Sequence, residues 1–299
     1  MKLLYATAAM AGLGWAMVPA LAQDQDALIK RGEYLMNGPV ACGNCHNTRA
    51  EDMSFVPGME FAGGFHIVDH GIDAYAANIT PDPDTGIGTW TDEQIITAIR
   101  EGTTPDGAII FPPMPVPTYN NMSDDDAKAI VAYLRTVKPV HNEVPESTFE
   151  IPLQAMPPAK GAPAPSPDDK LAYGGYIVNA LAHCFECHTT PDANGVPDFQ
   201  NSLGAGGFVI QLAPGMTVAT ANITSDPETG LGNWTDDEIK TAITKGIGRE
   251  GGHLAPPMPY TFFANMTPED LDAVVAYVRT IPPIVNKVER TDFQMKAFP

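Results

Sequence analysis

The pentapeptide Cys42-Gly43-Asn44-Cys45-His46 recurs in the second half of the chain as Cys184-Phe185-Glu186-Cys187-His188. The two copies use all four cysteines of the sequence. In this C-x-x-C-H spacing two thiols lie one helical turn apart and can add to the vinyl groups of a porphyrin, while the adjacent histidine reaches the iron. The motif therefore predicts two covalently attached haem c groups. The thioether-forming residues would be Cys42, Cys45, Cys184 and Cys187.

Other uses of paired cysteines fit this pattern less well. A zinc site normally draws its cysteine pairs from positions closer in sequence and does not need a histidine directly after each pair. A disulfide or a thioredoxin-like redox site would explain one C-x-x-C pair, but not the histidine that follows both. With haem as the cofactor, the predicted axial histidine ligands of the two irons are His46 and His188.

Composition and charge restrict the partners of the protein. The chain of 299 residues is 44% hydrophobic, as in a globular protein, and its 27 glycines and 29 prolines predict long loops. Its net charge of −19 argues against nucleic acid and against anionic membrane surfaces as partners. The acidic surface has two explanations, which are steering toward a basic patch on another protein and simple solubility.

Residues 1–22 predict a secretory signal peptide. Lys2 is followed by an apolar run and then by Ala20-Leu21-Ala22, an A-x-A cleavage site before Gln23. An uncleaved membrane anchor is the alternative, because the run is about 20 residues long. Glycines and a proline in the run favour cleavage. Export to the periplasm agrees with covalent haem, which bacteria attach outside the cytoplasm.

An internal repeat organises the rest of the chain. The segment 78–92, NITPDPDTGIGTWTD, returns at 222–236 as NITSDPETGLGNWTD, and a period of this length indicates duplicated domains. A proline-rich stretch without periodicity separates the copies and predicts a semi-rigid, extended linker. The expected divisions are a signal peptide at 1–22, a first domain at 24–148, a linker at 149–168, a second domain at 169–290 and a C-terminal tail at 291–299.

Each predicted domain carries the same helices in the same order. Apolar periodicity over 27–35 and over 171–181 predicts a first helix that leads into the C-x-x-C-H motif. Capping boxes that begin at Thr91 and Thr235 predict a short second helix, which ends near the next glycine.

A third helix is predicted at the end of each domain. Apolar residues recur at three- and four-residue spacing after Ser123 in the first domain and after Thr267 in the second. Neither domain shows an alternating strand pattern of useful length. The predicted fold class is therefore mainly α, with about three helices around each haem.

The function depends on the sixth ligand of each iron. A methionine ligand suits the iron to electron transfer, whereas an open position allows peroxide chemistry. Among thirteen methionines, Met114 and Met258 lie in matching P-P-M-P loops, and Met122 and Met266 also match each other. A proline-stiffened loop suits a thioether that binds weakly, so the predicted axial ligands are Met114 and Met258. Met122 and Met266 precede the N-cap of the third helix and are better explained as hydrophobic staples.

Histidine is the competing sixth ligand. The histidines outside the motifs have no histidine at the equivalent place in the other copy, so surface or supporting roles are expected for them. These residues are His66, His70, His141, His183 and His253.

The repeated N-I-T and G-x-G-x-W segments have two explanations. Asn78, Asn222, Trp90 and Trp234 could donate hydrogen bonds to haem propionates, or they could form a turn followed by a buried tryptophan. A calcium loop is disfavoured, because Ile87 stands where such a loop requires glycine.

These motifs resemble those of the cytochrome c subunits of membrane-associated dehydrogenases. The closing sequences Ala132-Tyr133-Leu134-Arg135 and Ala276-Tyr277-Val278-Arg279 belong to the same pattern. Such subunits accompany quinoprotein alcohol dehydrogenases, flavin-dependent gluconate and sorbitol dehydrogenases, and molybdenum-dependent aldehyde or nicotinate dehydrogenases. The resemblance covers nearly all of the mature chain and implies two tandem class I cytochrome c domains. Many members of the group carry three haem domains, whereas this chain has two, and the membrane-anchoring tail of some is not evident.

The resemblance implies a periplasmic dihaem cytochrome that relays electrons from a dehydrogenase catalytic subunit to the respiratory chain. The acceptor would be quinone, a cytochrome or a terminal oxidase. The chain would then be a non-catalytic carrier or the electron-transfer subunit of an oxidoreductase complex, held at most peripherally on the outer face of the cytoplasmic membrane. The alternative is a dihaem peroxidase-like enzyme with one open iron site. Two matching P-P-M-P loops argue against it.

Overall fold

The computed structural model describes residues 17–69, 71–193, 195–213 and 216–289. Most of the predicted signal peptide, the whole C-terminal tail and His70 lie outside these residues. Among the helices of the described ranges, none is both long enough and apolar enough to cross a membrane.

The described part of the chain is mainly helical, as predicted, and it builds the same arrangement twice. In each domain a helix leads into a short helix at the C-x-x-C-H motif, and a capped helix, a one-turn helix and a final helix follow. The helices of the first domain are α1 (Met17–Asn37), α2 (Gly43–His46), α3 (Asp92–Glu101), α4 (Val116–Tyr119) and α5 (Asp124–Leu134). Those of the second are α6 (Lys170–Tyr176), α7 (Cys184–His188), α8 (Asp236–Lys245), α9 (Tyr260–Phe263) and α10 (Pro268–Val278).

The first and last helices of each domain cross at a glycine. A Cβ atom added at Gly32 would lie 1.9 Å from the carbonyl oxygen of Ala129, and one at Gly174 would lie 2.0 Å from that of Ala273. Glycine therefore allows α1 to meet α5, and α6 to meet α10, at backbone distance. Beyond this crossing the domains differ, because α6 continues into a π-helical segment at Ile177–Leu181 where the sequence predicted one uniform helix.

The predicted starts of the second and third helices are confirmed, whereas the first helix of the first domain begins at Met17 and not at the predicted Ala27. Thr91 and Thr235 each form a complete capping box, in which the side chain accepts a hydrogen bond from the backbone and the third helical residue returns one. Ser123 and Thr267 cap the final helices more simply, since each hydroxyl group accepts a hydrogen bond from one backbone N–H of its helix.

Short antiparallel strands are also present, which the sequence did not predict. Hairpins follow the haem motifs, and in the first domain a further strand joins the sheet. With two to five residues, these strands are too short for an alternating pattern to stand out from a loop. The strands are β1 (His66–Asp69), β2 (Ile72–Tyr75), β3 (Thr148–Phe149), β4 (Val209–Ala213) and β5 (Met216–Ala219).

The linker at 149–168 is extended, and part of it is held against the first domain. The backbone N–H of Met156 donates to the carbonyl oxygen of Glu101 at 2.9 Å. Asn120 Nδ2 donates to the carbonyl oxygen of Pro157, also at 2.9 Å. These hydrogen bonds fix the linker as a strap over α3 and α4.

The two domains pack together through reciprocal contacts. Tyr34 Oη donates to Asp270 Oδ2 at 2.5 Å, and the equivalent Tyr176 Oη donates to Asp126 Oδ2 at 2.7 Å. Exchange of the same contact in both directions indicates an approximate two-fold relation between the domains. One continuous cluster of buried apolar side chains runs through both.

Asp126 has a second partner, which changes the interpretation of the acidic start of α5. Asp124, Asp125 and Asp126 form the acidic first turn of α5, where negative charge is favourable to the helix dipole. Asp126, however, is buried and accepts a hydrogen bond from Arg31 Nε at 2.8 Å. Asp126 therefore joins α1 of its own domain to Tyr176 of the second domain.

Candidate haem-binding sites

Each C-x-x-C-H motif folds as a single helical turn. In the first, the backbone N–H of His46 donates to the carbonyl oxygen of Cys42 at 3.0 Å, which closes the turn. The second is α7, which begins at Cys184. Residues three apart on a helix lie on one face, so both thiols of a motif point the same way. None of the four cysteines is joined in a disulfide, so all four can form thioethers.

The thiols are held in their neutral form. Burial raises the pKa of Cys42 and that of Cys184 to about 12. Burial also raises the pKa of Cys187 to about 12, with smaller contributions from Glu186, Cys184 and Cys45 of the other motif.

The motif histidines are oriented for metal binding through one particular nitrogen. His46 Nδ1 lies 2.8 Å from the carbonyl oxygen of Ala77, and His188 Nδ1 lies 2.8 Å from that of Ala221. A carbonyl oxygen can only accept, so Nδ1 carries the proton and Nε2 keeps its lone pair. Burial lowers the pKa of both rings, which keeps them neutral. The residues of both motifs therefore fit a covalently attached haem with an axial histidine.

In each domain a loop that contains Gly63 or Gly206 forms a hydrogen bond with the backbone of the motif histidine. The backbone N–H of Gly63 donates to the carbonyl oxygen of His46 at 2.7 Å, and that of Gly206 donates to the carbonyl oxygen of His188 at 2.9 Å. Both glycines have positive φ, and a Cβ at Gly63 would lie 2.5 Å from the carbonyl oxygen of Ala76. Only glycine allows the loop to form this hydrogen bond, because any Cβ would be strained or would clash at this position.

The methionines of the P-P-M-P loops lie at the border of the core. Met114 and Met258 are partly buried and pack against the core cluster. Their loops turn sharply, since the N–H of Val116 donates to the carbonyl oxygen of Met114 at 2.8 Å and that of Tyr260 donates to Met258 at 2.9 Å. Axial ligation by these two methionines stays a prediction.

The other matched methionine pair is fully inside the protein. Met122 is 0% exposed and Met266 is 6% exposed, and both belong to the buried core cluster. Such burial beside the final helix agrees with the packing role that the sequence assigned to them.

The structure places four of the five remaining histidines. His66 stacks on a tyrosine and pairs with an aspartate at the surface, and His141 lies 3.6 Å from another aspartate. His253 is exposed on a loop. His183 lies at the domain interface, edge-on to the ring of Tyr119, and burial lowers its pKa to about 4.

The buried asparagines of the repeated N-I-T segment form hydrogen bonds inside their own domains. Asn78 Nδ2 donates to Thr85 Oγ1 at 3.0 Å and to the carbonyl oxygen of Val140 at 2.8 Å, and Asn222 makes the equivalent contacts. This arrangement favours turn formation over contact with a propionate. For Trp90 and Trp234 the propionate contact stays a prediction.

One group of side chains in the described ranges has spacing suitable for a metal ion. It consists of Asp82, Asp84 and His141. The Asp82 carboxylate already accepts hydrogen bonds from the N–H and the hydroxyl of Thr85, both at 2.8 Å. The second domain has Val285 in place of the histidine, so the repeat does not keep the group.

The sequence assigned no role to the residues between the cysteines, and the structure gives them one. Asn44 Nδ2 donates to the carbonyl oxygen of Pro257, at 3.2 Å, and Thr118 Oγ1 donates to Glu186 Oε1, at 2.5 Å. Each attachment turn therefore contacts the segment around the methionine loop of the other domain. The only sequence signal was that Asn44 and Glu186 occupy the same place in the two motifs.

Comparison with known proteins identifies several relatives. The chain is 33% identical to the cytochrome c subunit of the quinone alcohol dehydrogenase from Gluconobacter oxydans (strain 621H), over 91% of this chain and 61% of the relative. It is 31% identical to the gluconate 2-dehydrogenase cytochrome c subunit from Pantoea cypripedii, over 90% of this chain and 63% of that one. The chain thus spans about three-fifths of the length of these relatives.

A shorter relative matches the chain over most of its own length. It is a dihaem c-type cytochrome from Cereibacter sphaeroides (strain ATCC 17023), 27% identical over 81% of this chain and 82% of the relative. The cytochrome c family model matches twice, at residues 29–138 and 174–282, and each match contains one C-x-x-C-H turn with its P-P-M-P loop. The chain therefore belongs to the cytochrome c family of electron-transfer proteins and carries two covalently bound haem c groups.

Proposed function

We propose that this chain is a periplasmic relay that takes electrons from a dehydrogenase catalytic subunit and passes them to the respiratory chain. The observation that carries this proposal is that each attachment turn contacts the other domain, through Asn44 and Pro257 on one side and through Glu186 and Thr118 on the other. When bound, the two haem groups supply one-electron iron couples. Their attachment on either side of one buried interface suits transfer within a single chain.

The protein's own residues hold each group in a fixed place. Four cysteines anchor the groups covalently. The carbonyl oxygens of Ala77 and Ala221 fix the axial histidines by accepting hydrogen bonds from their Nδ1–H groups. The reciprocal contacts of Tyr34 and Tyr176 then fix one domain against the other. Rigid surroundings suit electron transfer, since little needs to move when the charge on an iron changes.

In this proposal Met114 and Met258 complete the coordination of the two irons. The test is visible spectroscopy with redox titration of the purified holoprotein. We expect two low-spin groups, each with the long-wavelength absorption band of methionine-bound ferric haem, and loss of half of that band in Met114→Leu or Met258→Leu. The buried Met122 supplies the matched control, because Met122→Leu keeps the whole band. A high-spin component with peroxide turnover in the unaltered protein would support the peroxidase instead.

A dehydrogenase is the upstream partner in this proposal. Two of the relatives described above are subunits of an alcohol dehydrogenase and of a gluconate dehydrogenase. The net charge of −19 suits docking on a basic surface of such a partner. In extracts of cells that produce the protein, the partner's substrate should reduce both haems at a rate that falls with ionic strength. No reduction by alcohol, by gluconate or by any other dehydrogenase substrate would contradict this partner class.

Export is tested separately, by the N-terminus of the mature protein. Cleavage at the predicted site leaves a chain that begins at Gln23. Mass spectrometry of the protein released by osmotic shock should show this terminus together with the mass of two haems. A haem-loaded chain that retains residues 1–22 would contradict signal cleavage.

A further inference from the structure

We propose that the haem-attachment turn of the first domain positions the sixth iron ligand of the second, because Asn44 and Arg49 hold the loop that carries Met258. Both are positioning residues, which act on the loop and not on the iron. The inference rests on the proposed methionine ligation of the second haem. It adds a dependence between the two sites that two independent domains would lack.

The most direct contact is a hydrogen bond to the residue before the methionine. Asn44 Nδ2 donates to the carbonyl oxygen of Pro257 at 3.2 Å. Arg49 Nη2 donates to Asn44 Oδ1 at 3.2 Å and to its carbonyl oxygen at 2.8 Å. Because Arg49 occupies the amide oxygen, the amide nitrogen of Asn44 is the atom that faces Pro257.

A second contact runs from Arg49 to the helix that follows the methionine loop. The guanidinium group of Arg49 lies over the ring of Phe55, at 4.4 Å, and 5.1 Å from the centre of Phe65. Phe55 in turn packs edge-on against Phe262 of α9, with ring centres 5.9 Å apart. Gly43 faces the same ring, since a Cβ at this position would lie 2.8 Å from Phe262 Cε1.

A third contact holds the far end of α9. Asn265 Nδ2 donates to the carbonyl oxygen of Asn37 in the first domain at 2.8 Å. The start of α9 is joined to the methionine, because the N–H of Tyr260 donates to the carbonyl oxygen of Met258 at 2.9 Å. A helix of four residues has little stability of its own, so these contacts determine where it lies.

The reverse contact is built differently. Pro191 and Pro197 stand in the second domain at the places of Arg49 and Phe55, so the arginine and the ring that contacts Phe262 occur on one side only. Glu186 occupies the place of Asn44 in the second motif. Its carboxylate accepts a hydrogen bond from Thr118, which follows the first methionine loop. Asn121, the equivalent of Asn265, donates only to carbonyl oxygens of its own turn. The arginine-based support therefore acts on Met258 and not on Met114.

A thioether binds iron weakly, so its occupancy depends on how well the loop is held. An external ligand such as imidazole competes for the same position and reports this directly. In the ferric protein, unpaired spin shifts the methyl protons of an axial methionine far outside the normal NMR range. Met114→Leu and Met258→Leu each remove one such resonance and thereby assign both.

The test is imidazole titration of the full-length holoprotein, followed at both methyl resonances. Asn44→Ala should lower the concentration that displaces Met258 about fivefold, as expected for the loss of one hydrogen bond, and should leave Met114 unchanged. Asn265→Ala should act in the same direction. Asn121→Ala is the matched control and should change neither site, because its hydrogen bonds stay within its own turn.

The outcomes separate this inference from the proposed function. The inference is overturned if Asn44→Ala and Asn265→Ala leave displacement of Met258 unchanged, or if they weaken both sites equally. If Asn44→Ala does not accumulate with haem, Asn44→Asp decides in its place, because a carboxylate cannot donate to the carbonyl oxygen of Pro257. If the unaltered protein shows no shifted methionine resonance, the proposed ligation fails, and this inference fails with it.

Discussion

In the first domain Asp126 accepts hydrogen bonds from both Arg31 and Tyr176, whereas in the second the equivalent Asp270 accepts one from Tyr34 at its carboxylate. The place of Arg31 is taken by Tyr173 in the second domain. Although burial alone would lower the pKa of Arg31, its hydrogen bond and charge interaction with Asp126 raise that pKa above its usual value. The duplicated contact is thus reinforced by an ion pair on one side only.

Other arginines show the same difference between the domains. Arg100 is buried under the linker, where its Nη1 donates to Asp124 Oδ1 at 2.6 Å, and Thr244 stands at its place in the second domain. Arg49 faces the second methionine loop and is replaced by Pro191. The repeat preserves haem attachment, while substitutions in the first domain fix the linker and the interface. Since surroundings tune an iron potential, the two haems are expected to titrate at different potentials.

The largest expected effect tests whether each domain binds its own haem. Replacement of both Cys42 and Cys45 by alanine should leave one haem per chain, because all covalent attachment in the first domain depends on these thiols. The same replacement at Cys184 and Cys187 should also leave one. The pyridine haemochrome assay measures this ratio. A chain that loses both haems in either variant would show that the domains mature together and not separately.

The next effect tests the helix crossings, where the domains are alike. Gly32→Ala and Gly174→Ala each place a Cβ within about 2 Å of a backbone carbonyl oxygen, so the helices must separate. We expect each to lower the free energy of unfolding by about 3 kcal/mol. This loss exceeds the stabilisation of about 1 kcal/mol that the higher helix propensity of alanine provides. Urea denaturation measures both. A variant as stable as the unaltered protein would contradict the backbone contact.

Removal of the negative charge at the two interface carboxylates should lower the free energy of unfolding by different amounts in the two domains. Asp126→Asn removes the charge that partners the half-buried Arg31 and should cost about 2 kcal/mol. Asp270→Asn loses no ion pair of this kind and leaves an amide oxygen to accept from Tyr34, so we expect about 0.5 kcal/mol. Chemical denaturation of the two holoproteins gives the comparison. Equal losses would mean that Arg31 contributes nothing to the difference.

The smallest expected difference between the domains concerns the most closely repeated local feature. Thr91→Ala and Thr235→Ala each remove a capping box, and each should cost about 1 kcal/mol. Because the two caps have the same contacts, the two losses should agree to within about 0.5 kcal/mol. Thermal unfolding of the pair measures this. Clearly unequal losses would show that α3 and α8 differ in their support from the rest of their domains.

Features that depend on neighbouring residues were predictable from the sequence. The helix caps at Thr91 and Thr235 are confirmed. They could be predicted because all the residues of a capping box lie within four positions of the sequence. The hairpins were missed, since strands as short as β2, with four residues, carry too little periodicity. The extended linker was predicted, but its attachment to Glu101 and Asn120 was not.

The sequence by itself determined the cofactor, the duplication and the helical class. C-x-x-C-H is a local pattern whose chemistry follows from its spacing, and its repetition is visible without a structure. Only the tertiary structure decided how the two sites meet. Asn44 and Pro257 are 213 residues apart, and Tyr34 and Asp270 are 236 apart. The local sequence around a polar side chain is the same whether that side chain faces water or another domain. No local pattern could therefore distinguish a surface residue from an interface residue.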